Sequence, residues 1–483
     1  MELVSNNPAT GNVVWRGRVS STADVADAIA DARAAQPAWW ARPMDERRAI
    51  LSRFAELAAE RKQQLADLIL AEAGRVRSDA NAEAAAVAGK VKLTFAALDE
   101  RRADERHDLG NGVVGRVTHK PIGVLAVLGP FNFPMHLANG HLVPALLAGN
   151  ACVFKPSELT PACGELLASL IHEAGVPNDV LRVVQGGRET GEALVGGDVD
   201  GVLLTGSDRV AEAVYKRLRY DQLLAVEAGG NNPLVVHGPV DVDLAVKLTV
   251  ESAYISAGQR CTCARRLIVT SDMPGDFIEK LIAAVREVKV DLPENDPLIG
   301  PLITPTAVDA LLRAQTMIVD AGATTLVESR RVTVDTDAVA ATRRVAGATD
   351  ELRPIGSQLR ETSSNSAFVS PGLVDVTGID VPDAEVFGPF LQLTRVATFA
   401  DAIAAANATC FGLAAGLIGG TRGDFEQFLR ESRAGCVNWN RPLTGASGKL
   451  PFGGVGKSGN FRPAGSTSID YCTYPVATLE SDL

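Results

Sequence analysis

Three side chains in this chain have types and settings that could do chemistry. Cys261 lies in Ser256-Ala257-Gly258-Gln259-Arg260-Cys261-Thr262-Cys263, between an expected helix and an expected strand. A thiol with an ordinary pKa near ~8.5 is mostly protonated at neutral pH, so a nucleophilic cysteine needs electropositive help. Backbone N–H groups at a sharp turn and the Arg260 guanidinium are the expected sources. Taken alone, such a cysteine is more often buried and inert. Glu227 follows an apolar run and precedes Gly229-Gly230-Asn231-Asn232. It reads either as a strand-end residue satisfied by its loop or as a general base whose proton affinity burial raises. Asn132, in Gly129-Pro130-Phe131-Asn132-Phe133-Pro134, is either a turn former or an amide donor for an oxyanion. Lys155 and Glu158 follow another apolar run and suit ribose hydroxyls, although a lone lysine is more often a solvated surface residue. Gly206-Ser207 opens a helical stretch and suits phosphate.

The elements that would position these groups follow from the hydrophobic pattern. Apolar runs at 122–128, 151–154, 181–184, 201–204 and 223–226 alternate with helical stretches at 142–147, 163–173 and 210–218. That is the pattern of a doubly wound parallel α/β sheet, which binds ligands at the carboxyl ends of its strands. Gly229-Gly230-Asn231-Asn232-Pro233 interrupts the alternation. It restarts with strands at 234–236 and 267–269 and helices at 244–256 and from 277 to about 288. Two α/β domains joined near residue 230 are expected. The first hundred residues read as helical: 23 to about 35, capped by Thr22 and ending near Pro37; a single run over 45–73; and an Ala-rich run over 80–98. Residues 113–119 alternate like an edge strand. Residues 325–365, rich in Arg, Asp, Thr and Ser, read as an inserted surface excursion.

Two glycine patterns mislead. Gly110-Asn111-Gly112-Val113-Val114-Gly115 matches a dinucleotide fingerprint but lacks the preceding buried strand and following helix, so it reads as a turn. Gly456-Lys457-Ser458 resembles the end of a phosphate loop, but Pro451 stands where that loop needs its first glycine. Composition narrows the field further. The 483 residues carry 47 Lys+Arg against 58 Asp+Glu, a net charge of −11, which disfavours nucleic acid and anionic membranes as partners. No apolar run reaches the ~18 residues of a membrane span, and no secretory signal is expected from the first residues. Seven cysteines, an odd number without a C-x-x-C pair, argue against a disulfide scaffold and against any metal site. A reducing, cytoplasmic setting is expected.

The ordered set Asn132-Phe133-Pro134, Lys155-Pro156-Ser157-Glu158, Thr205-Gly206-Ser207, Glu227-Ala228-Gly229-Gly230-Asn231, Gly258-Gln259-Arg260-Cys261, Glu385-Val386-Phe387-Gly388-Pro389 and Pro451-Phe452-Gly453-Gly454 resembles the NAD(P)-dependent aldehyde dehydrogenase superfamily, from about Asn7 to Leu479. The resemblance implies an aldehyde dehydrogenase-like fold: two doubly wound α/β domains plus a small β oligomerisation element. It places an NAD-binding domain at 1–106 and 122–228, a catalytic domain at 229–445, and the oligomerisation element at 107–121 and 466–483, in a homodimer or homotetramer. It implies Cys261 as nucleophile, Glu227 as general base, and Asn132 with the Cys261 backbone N–H as oxyanion hole. Lys155 and Glu158 would hold the adenosine ribose, Gly206 and Ser207 the pyrophosphate, and Glu385 with Phe387 the nicotinamide ribose region. NAD is favoured over NADP because Glu158 would repel a 2′-phosphate. Two departures stand out: Ala211 replaces a usual glycine, and the family's first β-hairpin reads as trimmed.

Further stretches, among them Asn139-Gly140-His141, Val184-Gln185-Gly186-Gly187-Arg188-Glu189-Thr190-Gly191 and Val437-Asn438-Trp439-Asn440-Arg441-Pro442-Leu443-Thr444-Gly445, resemble the branch acting on N-succinyl-L-glutamate 5-semialdehyde. That substrate carries two carboxylates, so an acidic enzyme must gather cations at the aldehyde mouth. Arg441 and Arg265 are the expected ones, with Arg260 and His136 behind them and Asn440 as a further contact.

Overall fold

The computed structural model describes residues 1–334 and 366–481. It opens with an antiparallel hairpin, β1 (Glu2–Asn6) and β2 (Val13–Arg18), not with a helix, so the trimmed hairpin and the all-helical start are both corrected. Ser5 anchors the hairpin through a hydrogen bond from its hydroxyl to buried Glu72. Helix α1 (Thr22–Trp40) is capped by Ser21, not Thr22, in a capping box with Asp24, and it runs three residues past Pro37. The continuous run expected over 45–73 is two helices, α2 (Met44–Glu60) and α3 (Lys62–Ala73), separated by Arg61 at φ −99° and ψ 20°. α4 (Arg77–Arg101) follows. No described helix is long and apolar enough to cross a membrane.

β3 (Glu105–Asp108) and β4 (Val113–Pro121) form a hairpin around the Gly110 and Gly112 turn, in keeping with the turn reading of that motif. β4 is not an edge strand. The C-terminal strand pairs along its other side over nine residues, which makes β4 the middle of a three-stranded sheet. The first sheet proper follows: β5 (Val124–Leu128), α5 (His136–Leu147), β6 (Ala151–Lys155), α6 (Pro161–Glu173), β7 (Leu181–Val183), α7 (Arg188–Val195), β8 (Gly201–Thr205), α8 (Asp208–Tyr215) and β9 (Leu223–Glu227). Its five strands are all parallel in the order β7-β6-β5-β8-β9. β5 and β6 are buried along their whole length, as helix-covered parallel strands must be. α7, opened by Gly186-Gly187, is a helix that the hydrophobic pattern did not reveal.

The chain crosses to a second sheet between Glu227 and Asn232. β10 (Asn232–His237), α9 (Val242–Tyr254), β11 (Ala264–Thr270), α10 (Phe277–Arg286), α11 (Pro305–Asp320), β12 (Thr324–Val327), β13 (Gly372–Asp375), β14 (Phe390–Val396), α12 (Phe399–Asn407), β15 (Ala414–Gly419), α13 (Arg422–Glu431) and β16 (Cys436–Trp439) build it. The order is β12-β13-β14-β11-β10-β15-β16, parallel except for edge strand β12. Of the expected excursion at 325–365, Thr325–Val327 belong to β12 and residues 335–365 lie outside the described residues. β17 (Pro451–Phe452) and β18 (Ala464–Gly465) make a small hairpin. The tail divides. β19 (Thr473–Ser481) pairs with β4, while Ile469, Tyr471 and Cys472, in the 3₁₀ turn Ser468–Cys472, join the core of the first domain.

Candidate active site

The two sheets present opposite ends to one another. Asn132, Lys155, Thr205-Gly206-Ser207 and Glu227 sit at or just beyond the carboxyl ends of β5, β6, β8 and β9. Asn232, Cys261 and the Glu385–Phe387 stretch sit at or before the amino ends of β10, β11 and β14. Two glycines make the close approaches possible. A Cβ on Gly229 would lie 1.8 Å from Glu385 Oε2, and one on Gly258, at φ +67°, would lie 2.1 Å from the Gly388 carbonyl oxygen.

The cysteine loop is strained and clamped. Ser256, Ala257 and Gly258 all have positive φ. The Ser256 hydroxyl donates to Asp79 and accepts from Arg75 and from Arg260 Nε; Asp79 also accepts from Arg75 and Arg260. Arg260 is therefore turned into this cluster and does not serve the thiol, which corrects its expected role. Asn232 Nδ2 donates to the carbonyls of Cys261 (2.7 Å) and Cys263 (2.9 Å), holding the turn from below. Cys261 is half-buried, and no described hydrogen bond uses its backbone N–H. Asn132 is buried, with Nδ2 donating to Gln259 O at 3.1 Å, which brings the amide to the same loop. Burial, then the nearby Glu227 and Glu385 carboxyls, pushes the Cys261 thiol pKa upward. Cys263 is buried with its thiol on Ile255 O.

Glu227 is buried at the end of β9. Burial raises its pKa to about 7, against the pull of Lys90 and a hydrogen bond from Thr205. Oε2 accepts from Thr205 Oγ1 at 3.3 Å, and Oε1 has no partner among the described residues.

On the cofactor side, Lys155 is buried, not a solvated surface lysine. Its Nζ donates to the carbonyls of Pro156 (3.0 Å) and Gly186 (2.8 Å) and reaches Glu158 at 3.5 Å. Glu158 is exposed. Ser207 caps α8 by accepting from Val210 N–H, and the space beside Gly206 is open to 3.4 Å. Ala211 packs against the core of the first domain. Across the crevice Glu385 is held by Arg265 Nη2 at 3.1 Å, and Phe387 sits edge-on to Phe131 with ring centres 5.9 Å apart. A buried lysine paired with an exposed carboxylate, an open helix start and a fixed carboxylate opposite fit a dinucleotide laid across the strand ends.

The expected substrate cations fare differently. Arg265 is 1% exposed and spends its guanidinium on Gly388 O, Arg260 O and Glu385, so it orients Glu385 and cannot meet substrate. His136 has its pKa lowered to about 4 by burial and by Lys90, so it is neutral near pH 7 and supplies no cation. Asn440 has φ +51°, and its Oδ1 accepts from Gly419 N–H. By register Cys436 is level with Ala264, so Asn440 lies about 13 Å further along the strands from the cysteine end. It is a turn residue, not a neighbour of Cys261. Arg441 is exposed and has no carboxylate partner among the described residues. Asp79 and Lys90 gave no local signal as contributors to the site, and Tyr471 belongs to Asp470-Tyr471-Cys472, a stretch that resembles the same branch but had no assigned role. Thr205 and His141 stood inside quoted motifs without an assigned role.

The aldehyde dehydrogenase family model matches residues 2–343 and 342–477. The chain belongs to the aldehyde dehydrogenase family. It is therefore an aldehyde-oxidising oxidoreductase that works with NAD or NADP. N-succinylglutamate 5-semialdehyde dehydrogenase of Caulobacter sp. (strain K31) is 45% identical over 491 residues, covering 100% of this chain and 94% of that protein. The crystal structure of HpcC from Thermus thermophilus is 26% identical with a TM-score of 0.89, covering 100% of this chain and 90% of that one. A putative methylmalonate-semialdehyde dehydrogenase from Sinorhizobium meliloti 1021, complexed with NAD, is 25% identical with a TM-score of 0.87, covering 99% and 94%. Both solved structures share the fold described above over nearly the whole chain.

Proposed function

We propose that this aldehyde dehydrogenase oxidises N-succinyl-L-glutamate 5-semialdehyde to N-succinyl-L-glutamate with NAD, as a step of arginine catabolism in the cytoplasm. The observation that carries the chemistry is the meeting of Cys261, Asn132 and Glu227 at one crevice, with the Cys261 N–H and Glu227 Oε1 both unpartnered among the described residues. The relationship to full-length relatives of that name supports the substrate.

In this reading the Cys261 thiol loses its proton to Glu227 and its sulfur bonds to the aldehyde carbon. The resulting alkoxide is held by Asn132 Nδ2 and the Cys261 N–H. Bound NAD supplies the acceptor for the hydride that leaves this carbon. The C=O then re-forms as a thioester on Cys261. Glu227 gives the thiol's proton up to solvent and takes a second proton from water, the water oxygen bonds to the acyl carbon, and the C–S bond breaks to return the Cys261 thiolate and release the acid. Asn132→Ala is expected to lower kcat by ~10²–10³-fold, measured by NADH absorbance, because one oxyanion donor is lost.

Lys155 and Glu158 hold the adenosine ribose, and the exposed Glu158 carboxylate accepts from a 2′-hydroxyl while opposing a 2′-phosphate, which favours NAD. Arg441 is the substrate cation of this reading. It is exposed, has no carboxylate partner among the described residues and stands in a stretch resembling the branch whose substrate carries two carboxylates. Arg441→Ala is expected to raise KM about tenfold with kcat nearly unchanged; an unchanged KM removes Arg441 from the site. The sheet of β3, β4 and β19 presents β3 as an edge strand and suits pairing with a second subunit. The deciding experiment compares kcat/KM for N-succinylglutamate semialdehyde with glutamate, succinate and short aliphatic semialdehydes. A preference for the first of at least about tenfold is expected. A preference for another acidic semialdehyde overturns the substrate while leaving the chemistry standing.

A further inference from the structure

Behind Glu227 runs a buried chain of hydrogen bonds that the chemistry above does not use. Thr205 Oγ1 lies 3.3 Å from Glu227 Oε2 and 2.9 Å from His141 Nε2, and His141 Nδ1 lies 3.0 Å from the Tyr471 hydroxyl. All four residues are buried, and they come from β9, β8, α5 and the 3₁₀ turn before β19. The donors sort themselves. Burial and neighbouring Lys90 lower the His141 pKa to about 3, so the ring is neutral, with one donor and one acceptor nitrogen. A Thr205 hydroxyl that donates its single proton to Glu227 must accept from His141 Nε2–H. His141 Nδ1 must then accept from Tyr471 O–H. Every member donates toward Glu227.

We propose that Thr205, His141 and Tyr471 are positioning residues: their directed chain holds Oε2 of Glu227 and leaves Oε1 free to take a proton from thiol or water. Oε1 is buried without a partner among the described residues, as an acceptor in waiting requires. The proposal rests on Glu227 being the base. It also explains why the Ser468–Cys472 turn is packed into the first domain rather than laid along the outer sheet: it carries Tyr471 to the end of the chain of hydrogen bonds. Other groups face Glu227 as well. Lys90 of α4 favours its carboxylate, with Nζ held by Gly465 O and Ser468 Oγ; Ala464 N–H also favours it. The thiols of Cys261 and of Cys436 on β16, and the Tyr471 phenol itself, oppose it when ionised.

The test is the pH profile of thioester hydrolysis in the NAD-saturated enzyme, read as the steady phase after the NADH burst. Thr205→Val removes the hydroxyl and Thr205→Ser keeps it. Loss of a donor to the carboxylate is expected to move the acid limb of Thr205→Val upward by about one pH unit, slowing hydrolysis below the limb about tenfold. The burst amplitude should be unchanged. Thr205→Ser should follow the parent, and Tyr471→Phe should shift the limb the same way by less. Unfolding midpoints of each variant separate a loss of packing from a shifted limb. A Thr205→Val limb that coincides with the parent, or a Thr205→Ser limb that moves with Thr205→Val, overturns the proposal. Should Thr205→Val not fold, an unshifted limb in Tyr471→Phe overturns it. If Glu227→Gln hydrolyses the thioester at the parent rate, the reading of Glu227 as base fails. If Glu227→Gln is arrested and Thr205→Val is normal, only the relay fails.

Discussion

Replacing Cys261 by alanine is expected to lower kcat at least ~10⁴-fold while dinucleotide binding, measured by calorimetry, stays at the parent value. The size follows from what the sulfur does. An aldehyde has no good hydride-donating state until a nucleophile makes its carbon tetrahedral, and no other exposed or half-buried nucleophile lies on the Cys261 turn. The loop that presents it is held by Asp79 and Asn232, neither of which depends on the Cys261 side chain. The loss should therefore fall on chemistry and not on folding. Cys263→Ala is the control. That thiol is buried on Ile255 O, so its removal should leave turnover near the parent rate.

Glu227→Gln is expected to separate the two halves of the reaction. The first NADH should still form, one per site though more slowly than in the parent, because a thiol is far more acidic than water and can pass its proton to solvent when the carboxylate is gone. Steady turnover should fall by ~10²–10⁴-fold, because the amide cannot accept the proton of the attacking water. The pH dependence of the parent enzyme has a definite sign. Burial holds the Glu227 pKa at about 7, and only the carboxylate acts as a base, so hydrolysis is lost as the pH falls through that value and gained as it rises. A parent profile flat across that value, or a Glu227→Gln enzyme with undiminished steady turnover, would contradict the assignment.

The residues proposed to carry the chemistry could be picked out because each sits at or beside a strand end in a local motif. Asn132, Lys155, Glu227 and Cys261 each read more than one way alone; their order along the chain with Gly206 singles them out, and the alternation of apolar runs supplied the strands that place them. Charges were the least legible. Arg260, Arg265 and His136 are cationic residue types, but a sequence does not state burial: Asp79 absorbs Arg260, Glu385 absorbs Arg265, and a buried site keeps His136 neutral. The partners that matter are far along the chain, Asp79 lying 177 residues from the Ser256 it clamps. The N-terminal hairpin was missed for a related reason. Trp15 shares β2 with Arg16 and Arg18, and its signal is weaker than that of the helices that follow. Pro37 was read as a stop, yet the last turn of α1 continues past it, with Ala41 N–H bonded to Pro37 O. The middle position of β4 could not be read from its own apolar pattern, since its second partner, Thr473–Ser481, enters near the other end of the chain; only the resemblance grouped the two segments.

The most direct measurement is the mass of the Cys261 peptide after the Glu227→Gln enzyme has been mixed with NAD and N-succinylglutamate semialdehyde and quenched in acid. A mass increase equal to the N-succinylglutamyl group, on that peptide alone and matched in amount to the NADH formed, is the predicted result. NADH formed with the Cys261 peptide unmodified would contradict it.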